Sequence, residues 1–143
     1  MYESYTRQAL PSKNYRELLG SALCVFNSNN AFIIENILRS DSNNQYDWYH
    51  LMDLESGRLT SSIINTITRQ SDESIANLFC EIVVMRNRII HSFQISRDDE
   101  MVLATKTKVK DGNYQFVITE MFLLEFLEKN EKLCDELHKF RGF

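Results

Sequence analysis

The chain has 143 residues, of which 43% are hydrophobic and 11% aromatic, enough for one domain with its own core, and we expect a single domain over residues 1–143. One Pro and four Gly argue against disorder and against a loop-rich all-β fold. The formal net charge of −4 disfavours binding of nucleic acid over the whole surface, because phosphate affinity rests on Lys and Arg, but it allows a local basic site.

The sequence gives no sign of membrane insertion or secretion. No apolar run approaches the roughly 18 residues that a membrane-spanning helix needs, and the first residues lack the basic start and apolar stretch of a signal peptide. The three cysteines, Cys24, Cys80 and Cys134, are an odd number in apolar contexts, which favours reduced, buried thiols over disulfides or a zinc site. We therefore expect a cytoplasmic protein that needs no metal or other cofactor.

Helical periodicity begins close to the N-terminus. Apolar residues at helical spacing predict a first helix from about Ser12 to Leu38, with a kink or short break at the four poor helix formers of residues 27–30. A second helix is predicted over Asp47–Thr68, with Gly57 as its weak point. Its expected inward residues are Trp48, Leu51, Met52, Leu54, Leu59, Ile63, Ile64 and Ile67.

The third predicted helix runs from about Asp72 to Phe93, after a capping segment at residues 71–74. It is apolar almost all round, through Phe79, Cys80, Ile82, Val83, Val84 and Met85. A helix of this kind is expected at the centre of a bundle.

The periodicity changes after the third helix. Met101–Lys110 and Asn113–Ile118 are β-prone and are joined by Asp111-Gly112, a favoured hairpin turn. Thr119 then caps a final helix through about Phe140. The predicted fold class is mainly α: a helical bundle of four main helices with a β-hairpin inserted before the last helix.

One segment of the third helix, Arg86-Asn87-Arg88-Ile89-Ile90-His91, has residue types suited to chemistry. An arginine and a histidine separated by four residues, with a polar residue directly after the arginine, resembles the signature of the HEPN superfamily (higher eukaryotes and prokaryotes nucleotide-binding domains). The predicted architecture is similar as well, because HEPN domains are small helical bundles with this motif on a late core helix. The resemblance covers the chain as a single HEPN-like domain.

Helical geometry makes this segment unusual. Arg86 lies on the same stripe as Ile82 and Ile89, where an uncompensated charge is costly, so a partner or a functional pocket must explain it. Asn87 and His91 are four residues apart on the adjacent stripe and can share a site. Arg86 and His91 are roughly 140° apart on an ideal helix. A two-fold dimer would build one site from two such half-sites, so we expect a homodimer.

The resemblance implies a metal-independent endoribonuclease that leaves 2′,3′-cyclic phosphate and 5′-hydroxyl ends, similar to toxins and defence proteins. His91 would act as general base or acid, because the ordinary pKa of histidine lies near neutrality. Arg86 would hold the scissile phosphate, and Asn87 would orient the phosphate or His91. The implied partners are an RNA substrate, a second copy of the chain, and an antitoxin or other regulatory protein.

Other basic residues are candidate RNA contacts, namely Arg88, Lys106 and Lys108. Lys106, Lys108 and Lys110 alternate along one face of the predicted hairpin and are suited to phosphates. Lysines that protect an exposed edge strand are the alternative.

Two other functions stay open on the sequence. A non-catalytic HEPN module would bind a nucleotide or a partner protein, and a purely structural helical domain would serve only oligomerisation. In a structural role, Arg86 would pair with a carboxylate such as Glu35 or Glu81, and His91 would be a satisfied histidine near a helix end.

Overall fold

Helices and one small sheet make up the structure, a computed structural model that describes residues 1–142. The helices are α1 (Lys13–Ser40), α2 (Trp48–Asp53), α3 (Leu59–Ile63), α4 (Ser74–Ile90) and α5 (Glu120–Arg141), and the strands are β1 (Phe93–Arg97), β2 (Glu100–Lys106) and β3 (Gln115–Ile118). The predicted fold class is confirmed, since a helical bundle carries an antiparallel sheet directly before its last helix. Phe143, which the predicted domain includes, lies outside the described residues.

The long helices α1 and α5 run side by side in the same direction. Three hydrogen-bonded pairs join them at successive levels: Asn14 with Glu120, Asn29 with Asn130, and Glu35 with Arg141. Between these helices and α4 lies an aromatic cluster in which the ring centroid of Phe26 is 6.5 Å from that of Phe79 and 6.2 Å from that of Phe126. All three phenylalanines are buried.

Helix α1 is continuous, so the predicted break at residues 27–30 is wrong. Asn29 is buried, and its Nδ2 donates to the Asn130 Oδ1 at 3.1 Å and to the Asn130 carbonyl at 2.8 Å. The Oδ1 of Asn30 accepts from the Ser56 hydroxyl at 3.2 Å. Asparagine is a poor helix former because its amide competes for nearby backbone groups, and here the amides are engaged by neighbouring segments instead.

The predicted second helix is divided into four pieces. Helix α2 ends at Asp53, a 3₁₀ turn covers Ser56–Arg58, and α3 continues into a π-helix over Ile64–Thr68. The Thr66 hydroxyl donates to the Ser62 carbonyl at 2.6 Å, a local bond that competes with regular helical bonding. Leu51, Leu59, Ile63 and Ile67 are buried as predicted and Leu54 is half-buried, whereas Trp48, Met52 and Ile64 are exposed.

Helix α4 is buried on one side only, and it ends at Ile90 rather than at Phe93. Ile75, Phe79, Ile82 and Ile89 lie in the core. The opposite stripe, formed by Asn77, Cys80, Glu81, Val84 and His91, is exposed, and Val84 has 63% of its surface open. The expectation of a helix surrounded by the core is therefore wrong. The sequence pattern was misleading because the exposed stripe also carries an apolar residue, Val84.

The predicted hairpin is part of a three-stranded sheet in the order β1-β2-β3. Strand β1 was not predicted; it pairs antiparallel with β2 from Phe93 opposite Ala104 to Arg97 opposite Glu100. The turn between them is Asp98-Asp99, with φ of 52° and 64°. Asp tolerates this left-handed conformation, which a two-residue hairpin turn of this type requires.

The connection between β2 and β3 is longer than the predicted two-residue turn. Strand β2 ends at Lys106, and a loop with a 3₁₀ turn at Val109–Asp111 leads to β3. Lys108 and Lys110 therefore lie in the loop. The prediction that they alternate along one face of a strand is wrong. The loop turns back at Gly112, whose φ is 101°.

The cysteines differ from the prediction of buried thiols. Cys24 and Cys80 are exposed, and Cys134 is half-buried. Burial raises the pKa of the Cys134 thiol, and Asp135 and Glu131 nearby raise it further. None of the helices in residues 1–142 is both long and apolar enough to cross a membrane.

Candidate functional site

The C-terminal half of α4 forms one wall of an open groove of about 290 Å³. The loop after β2 forms the other wall. From the helix come Val84, Asn87 and Arg88, and from the loop come Thr107, Lys108, Lys110 and Asp111. The volume lies near the lower end of the range for sites that hold small ligands.

Arg86 lies at the edge of the core, on the inner stripe where the helical pattern predicts it. Its guanidinium carbon lies 5.5 Å from the centroid of the Phe26 ring, a cation–π contact. The predicted carboxylate partners are wrong: Glu35 pairs with Arg141 at 3.1 Å and Glu81 with Lys129 at 3.1 Å. Among residues 1–142, Arg86 forms no ion pair.

Asn87 and His91 lie on the outward side of α4 near its end. The Asn87 Oδ1 accepts from the Arg86 guanidinium at 3.3 Å, which connects the inner arginine to a residue of the groove. His91 is the C-cap residue, and its backbone N–H donates to the Asn87 carbonyl at 3.0 Å. Its imidazole is exposed. Helix geometry thus leaves Arg86 and His91 on different sides of α4, as their separation along the sequence predicts.

Arg88 joins the helix to the loop. Its guanidinium donates to the backbone carbonyl of Lys106, at the end of β2. The Lys106 ammonium is itself held by the loop, because it donates to the Asn113 Oδ1 at 2.8 Å and to the Thr107 carbonyl at 3.3 Å. Lys106 therefore supports the loop and does not line the groove, whereas Arg88 does both.

Lys108 and Lys110 give the groove its charge. Both are exposed, and neither forms an ion pair with any residue of the described range. Together with Arg88 they make three cationic side chains against one carboxylate, that of Asp111. A chain with a net charge of −4 thus has a local positive site.

The structure brings together some of the predicted residues and separates others. Asn87, Arg88 and Lys108 share the groove, His91 follows Asn87 by one helical turn, and Arg86 reaches the site only through Asn87. Sequence reasoning did not assign Thr107 or Asp111 to the site. The loop length could not be read from Asp111-Gly112 alone, since that pair also fits a two-residue turn.

No protein-family model, no curated protein and no solved structure matches this chain. Over residues 1–142, no group of three or more His, Cys, Asp or Glu side chains is arranged to hold a metal ion. The chemical groups that the site offers are the cations of the groove, the exposed imidazole of His91 and the half-buried guanidinium of Arg86.

Proposed function

We propose that this chain is a metal-independent endoribonuclease of the HEPN type, which acts as a homodimer and cuts RNA to 2′,3′-cyclic phosphate and 5′-hydroxyl ends. The observation that carries the proposal is the outward side of α4, where Asn87 lines a groove with three cationic side chains and the exposed His91 follows one turn later. One short stretch of chain thus supplies both groove residues that can bind a polyanion and a histidine that can transfer a proton. A cytoplasmic role as a toxin or defence protein, restrained by an antitoxin or other regulator, belongs to the same proposal.

The reaction assigns His91 the proton transfers. A neutral imidazole takes the proton of the ribose 2′-hydroxyl, the 2′ oxygen attacks the adjacent phosphorus, and the bond from phosphorus to the 5′ oxygen breaks. A protonated imidazole then gives a proton to the leaving 5′ oxygen. The exposure of His91 leaves it accessible to a bound RNA strand.

Cationic residues would hold the phosphate during this reaction. Arg88 and Lys108 line the groove and would contact phosphates of the RNA strand. Arg86 has no carboxylate to neutralise it among the described residues and is hydrogen-bonded to Asn87. Its guanidinium would stabilise the charge that develops on the phosphate oxygens.

The two-fold dimer solves the separation of Arg86 from His91. Val84 is an exposed apolar residue of α4, with 63% of its surface open, on the outward side that also carries Asn87 and His91. A second copy packed against this side of the helix would cover Val84 and bring its own motif to the groove.

The test is cleavage of RNA by the purified protein in the presence of EDTA. We expect His91→Ala to lower the rate by at least about 10²–10⁴-fold, the range that general acid–base catalysis supplies. Arg86→Lys should also be impaired, because an ammonium lacks the two-pronged grip of a guanidinium on phosphate. The products should carry free 5′-hydroxyl groups that a polynucleotide kinase can phosphorylate directly.

His50→Ala is the matched control, because His50 is likewise exposed but lies on α2 and outside the groove. This variant should cut RNA at the parental rate. Thermal unfolding of each variant separates a catalytic loss from a loss of folding. If folded His91→Ala protein cuts as fast as the parent, His91 is not the proton carrier and the proposal fails.

A non-catalytic HEPN module that binds a nucleotide or a partner protein is the second candidate. It is favoured by one observation: within residues 1–142 no side chain holds the His91 imidazole in a fixed orientation, although general bases are commonly oriented by a third group. Binding of RNA without any cleavage, unaffected by His91→Ala, would support this candidate over the ribonuclease.

A further inference from the structure

An exposed aromatic side chain lies beside the cationic groove. Tyr114 is 70% exposed, and it follows the loop that forms one wall of the groove. Its backbone N–H donates to the Thr107 hydroxyl at 2.8 Å, and its carbonyl accepts from the Thr107 backbone N–H at the same distance. Because Thr107 lines the groove, these bonds attach the Tyr114 backbone to a residue of the groove wall, although Tyr114 itself is not one of the lining residues.

The Tyr114 ring is held in place by the loop rather than by the core. A Cβ atom placed on Gly112 would lie 2.6 Å from the Tyr114 Cε2 and 3.1 Å from its Cδ2, so the ring rests on the bare glycine backbone. Gly112 in turn donates its N–H to the Val109 carbonyl at 3.1 Å. The ammonium of Lys106 clamps the adjacent Asn113. The ring thus contacts the loop while 70% of the residue stays exposed.

The neighbouring groups limit what this ring can receive. Arg88, Lys108 and Lys110 favour an anionic ligand, and the groove itself is too small to enclose more than a small part of a polymer. An open cationic groove with an aromatic side chain at its edge is the arrangement by which proteins hold single-stranded nucleic acid: cations follow the phosphates and a base stacks on the ring.

We propose that Tyr114 is a base-binding subsite, which stacks on one unpaired nucleobase of the RNA strand whose phosphates occupy the groove. This inference rests on the proposed function for the identity of the polymer. It assigns to the loop after β2 a role that the motif on α4 does not have. The ring contacts the face of the base and not its edge. The subsite therefore selects an unpaired base and does not discriminate between the bases.

The experiment measures RNA binding in a His91→Ala background, so that the probe stays intact. Fluorescence anisotropy with a short labelled oligoadenylate gives the Kd. Tyr114→Ala should raise the Kd by about 5- to 100-fold, the loss expected for one stacked base. Tyr114→Phe should bind like the parent, because the ring is kept. Tyr49→Ala is the matched control, since Tyr49 is 81% exposed but lies on α2, and it should bind unchanged.

A second probe identifies the base as the group that is recognised. The same oligonucleotide with abasic positions should bind the Tyr114-containing protein more weakly, and Tyr114→Ala should weaken it no further. Unchanged affinity of Tyr114→Ala for oligoadenylate overturns the inference, as does an equal loss for the abasic probe or equally tight binding of a fully paired duplex.

Failure of this inference is distinguishable from failure of the proposed function. If the parent cuts RNA in a His91-dependent way but Tyr114→Ala binds normally, the subsite is wrong and the ribonuclease stands. If Tyr114 governs binding but no cleavage occurs, the subsite stands with the non-catalytic alternative. If the protein neither binds nor cuts RNA, both fail.

Discussion

At the scale of single residues, a buried amide pair holds α1 against α5. Asn29 and Asn130 are 4% and 0% exposed, and the Asn130 Nδ2 is satisfied by the Phe126 carbonyl at 2.9 Å. Asn29→Ala would leave the Asn130 Oδ1 buried without a donor. We expect a loss of about 1–3 kcal/mol in the free energy of unfolding, measured by urea denaturation.

Asn27→Ala is the control within the same helix, because Asn27 is exposed. Alanine is the better helix former, so this variant should be at least as stable as the parent. Equal stability of the two variants would mean that the amide pair contributes nothing beyond helix propensity.

The position of Arg86 was predictable from the sequence, and its partner was not. Helical spacing places it on the inner stripe with Ile82 and Ile89, which the half-buried side chain confirms. The choice between a carboxylate and an aromatic ring depends on which helix packs opposite, and periodicity carries no such information. The Phe26 ring takes the guanidinium, while Glu35 and Glu81 pair elsewhere.

At the scale of elements, long helices with a clear apolar period were predictable. The bounds of α1 and α5 agree with the prediction within about two or three residues, the usual disagreement at helix ends. Strand β1 was missed because its turn, Asp98-Asp99, lacks the glycine that commonly marks such turns. Tertiary bonds decide whether a polar stretch breaks a helix, which is why residues 27–30 stay helical and the segment after α2 does not.

The loop between β2 and β3 depends on Gly112. Gly112→Ala would force a left-handed backbone with φ of 101° on alanine and push its Cβ to 2.6 Å from the Tyr114 ring. We expect a loss of about 1–2 kcal/mol from the backbone conformation alone, and more from the clash. Thermal unfolding measures the sum.

Gly142→Ala isolates the backbone contribution. Gly142 has φ of 91°, and a Cβ there would meet nothing within 4 Å. The difference between the two variants therefore reports the contact of Gly112 with Tyr114. If both variants lose the same stability, the ring does not rest on Gly112 in solution.

On the scale of the molecule, an ion pair joins the segment before α1 to that helix. The Arg16 guanidinium lies 2.8 Å from the Glu3 carboxylate, and Met1 and Leu10 exchange backbone hydrogen bonds. The hydrogen bond from Arg16 holds the pKa of the Glu3 carboxyl below its ordinary value of 4.5. The folded state therefore favours the ionised form, so this pair stabilises the protein above that pH and is lost as the pH falls through the lowered value.

We expect Glu3→Gln to lower the Tm near neutral pH, with a difference from the parent that shrinks below the ordinary pKa of 4.5. Glu17→Gln is the control, because Glu17 is exposed on α1 and forms no ion pair with the described residues. It should not change the Tm at any pH. A Tm difference for Glu3→Gln that is constant with pH would show that the ion pair is not what closes this segment.

The proposed composite ribonuclease site depends on assembly of two copies of the chain. Val84 lies in the middle of the exposed stripe of α4, with 63% of its surface open, and it also lines the cationic groove. In a two-fold dimer through this helix, Val84→Glu would bring two carboxylates close together in a desolvated contact, which costs several kcal/mol. The glutamate is a good helix former at an exposed position, so the subunit itself should keep its fold.

Light scattering at micromolar concentration should therefore give a dimer for the parent and a monomer for Val84→Glu. Ile64→Glu, a change of the same kind at a 48% exposed residue of the π-helix, should remain a dimer. In the proposed mechanism the monomer should also lose RNA cleavage. Because Val84 lines the groove, a glutamate there repels phosphate as well, so the oligomeric state and not the loss of cleavage tests the dimer. A monomeric parent that cuts RNA, or a Val84→Glu dimer as tight as the parent, would remove the dimer from the mechanism and require one chain to supply both groups.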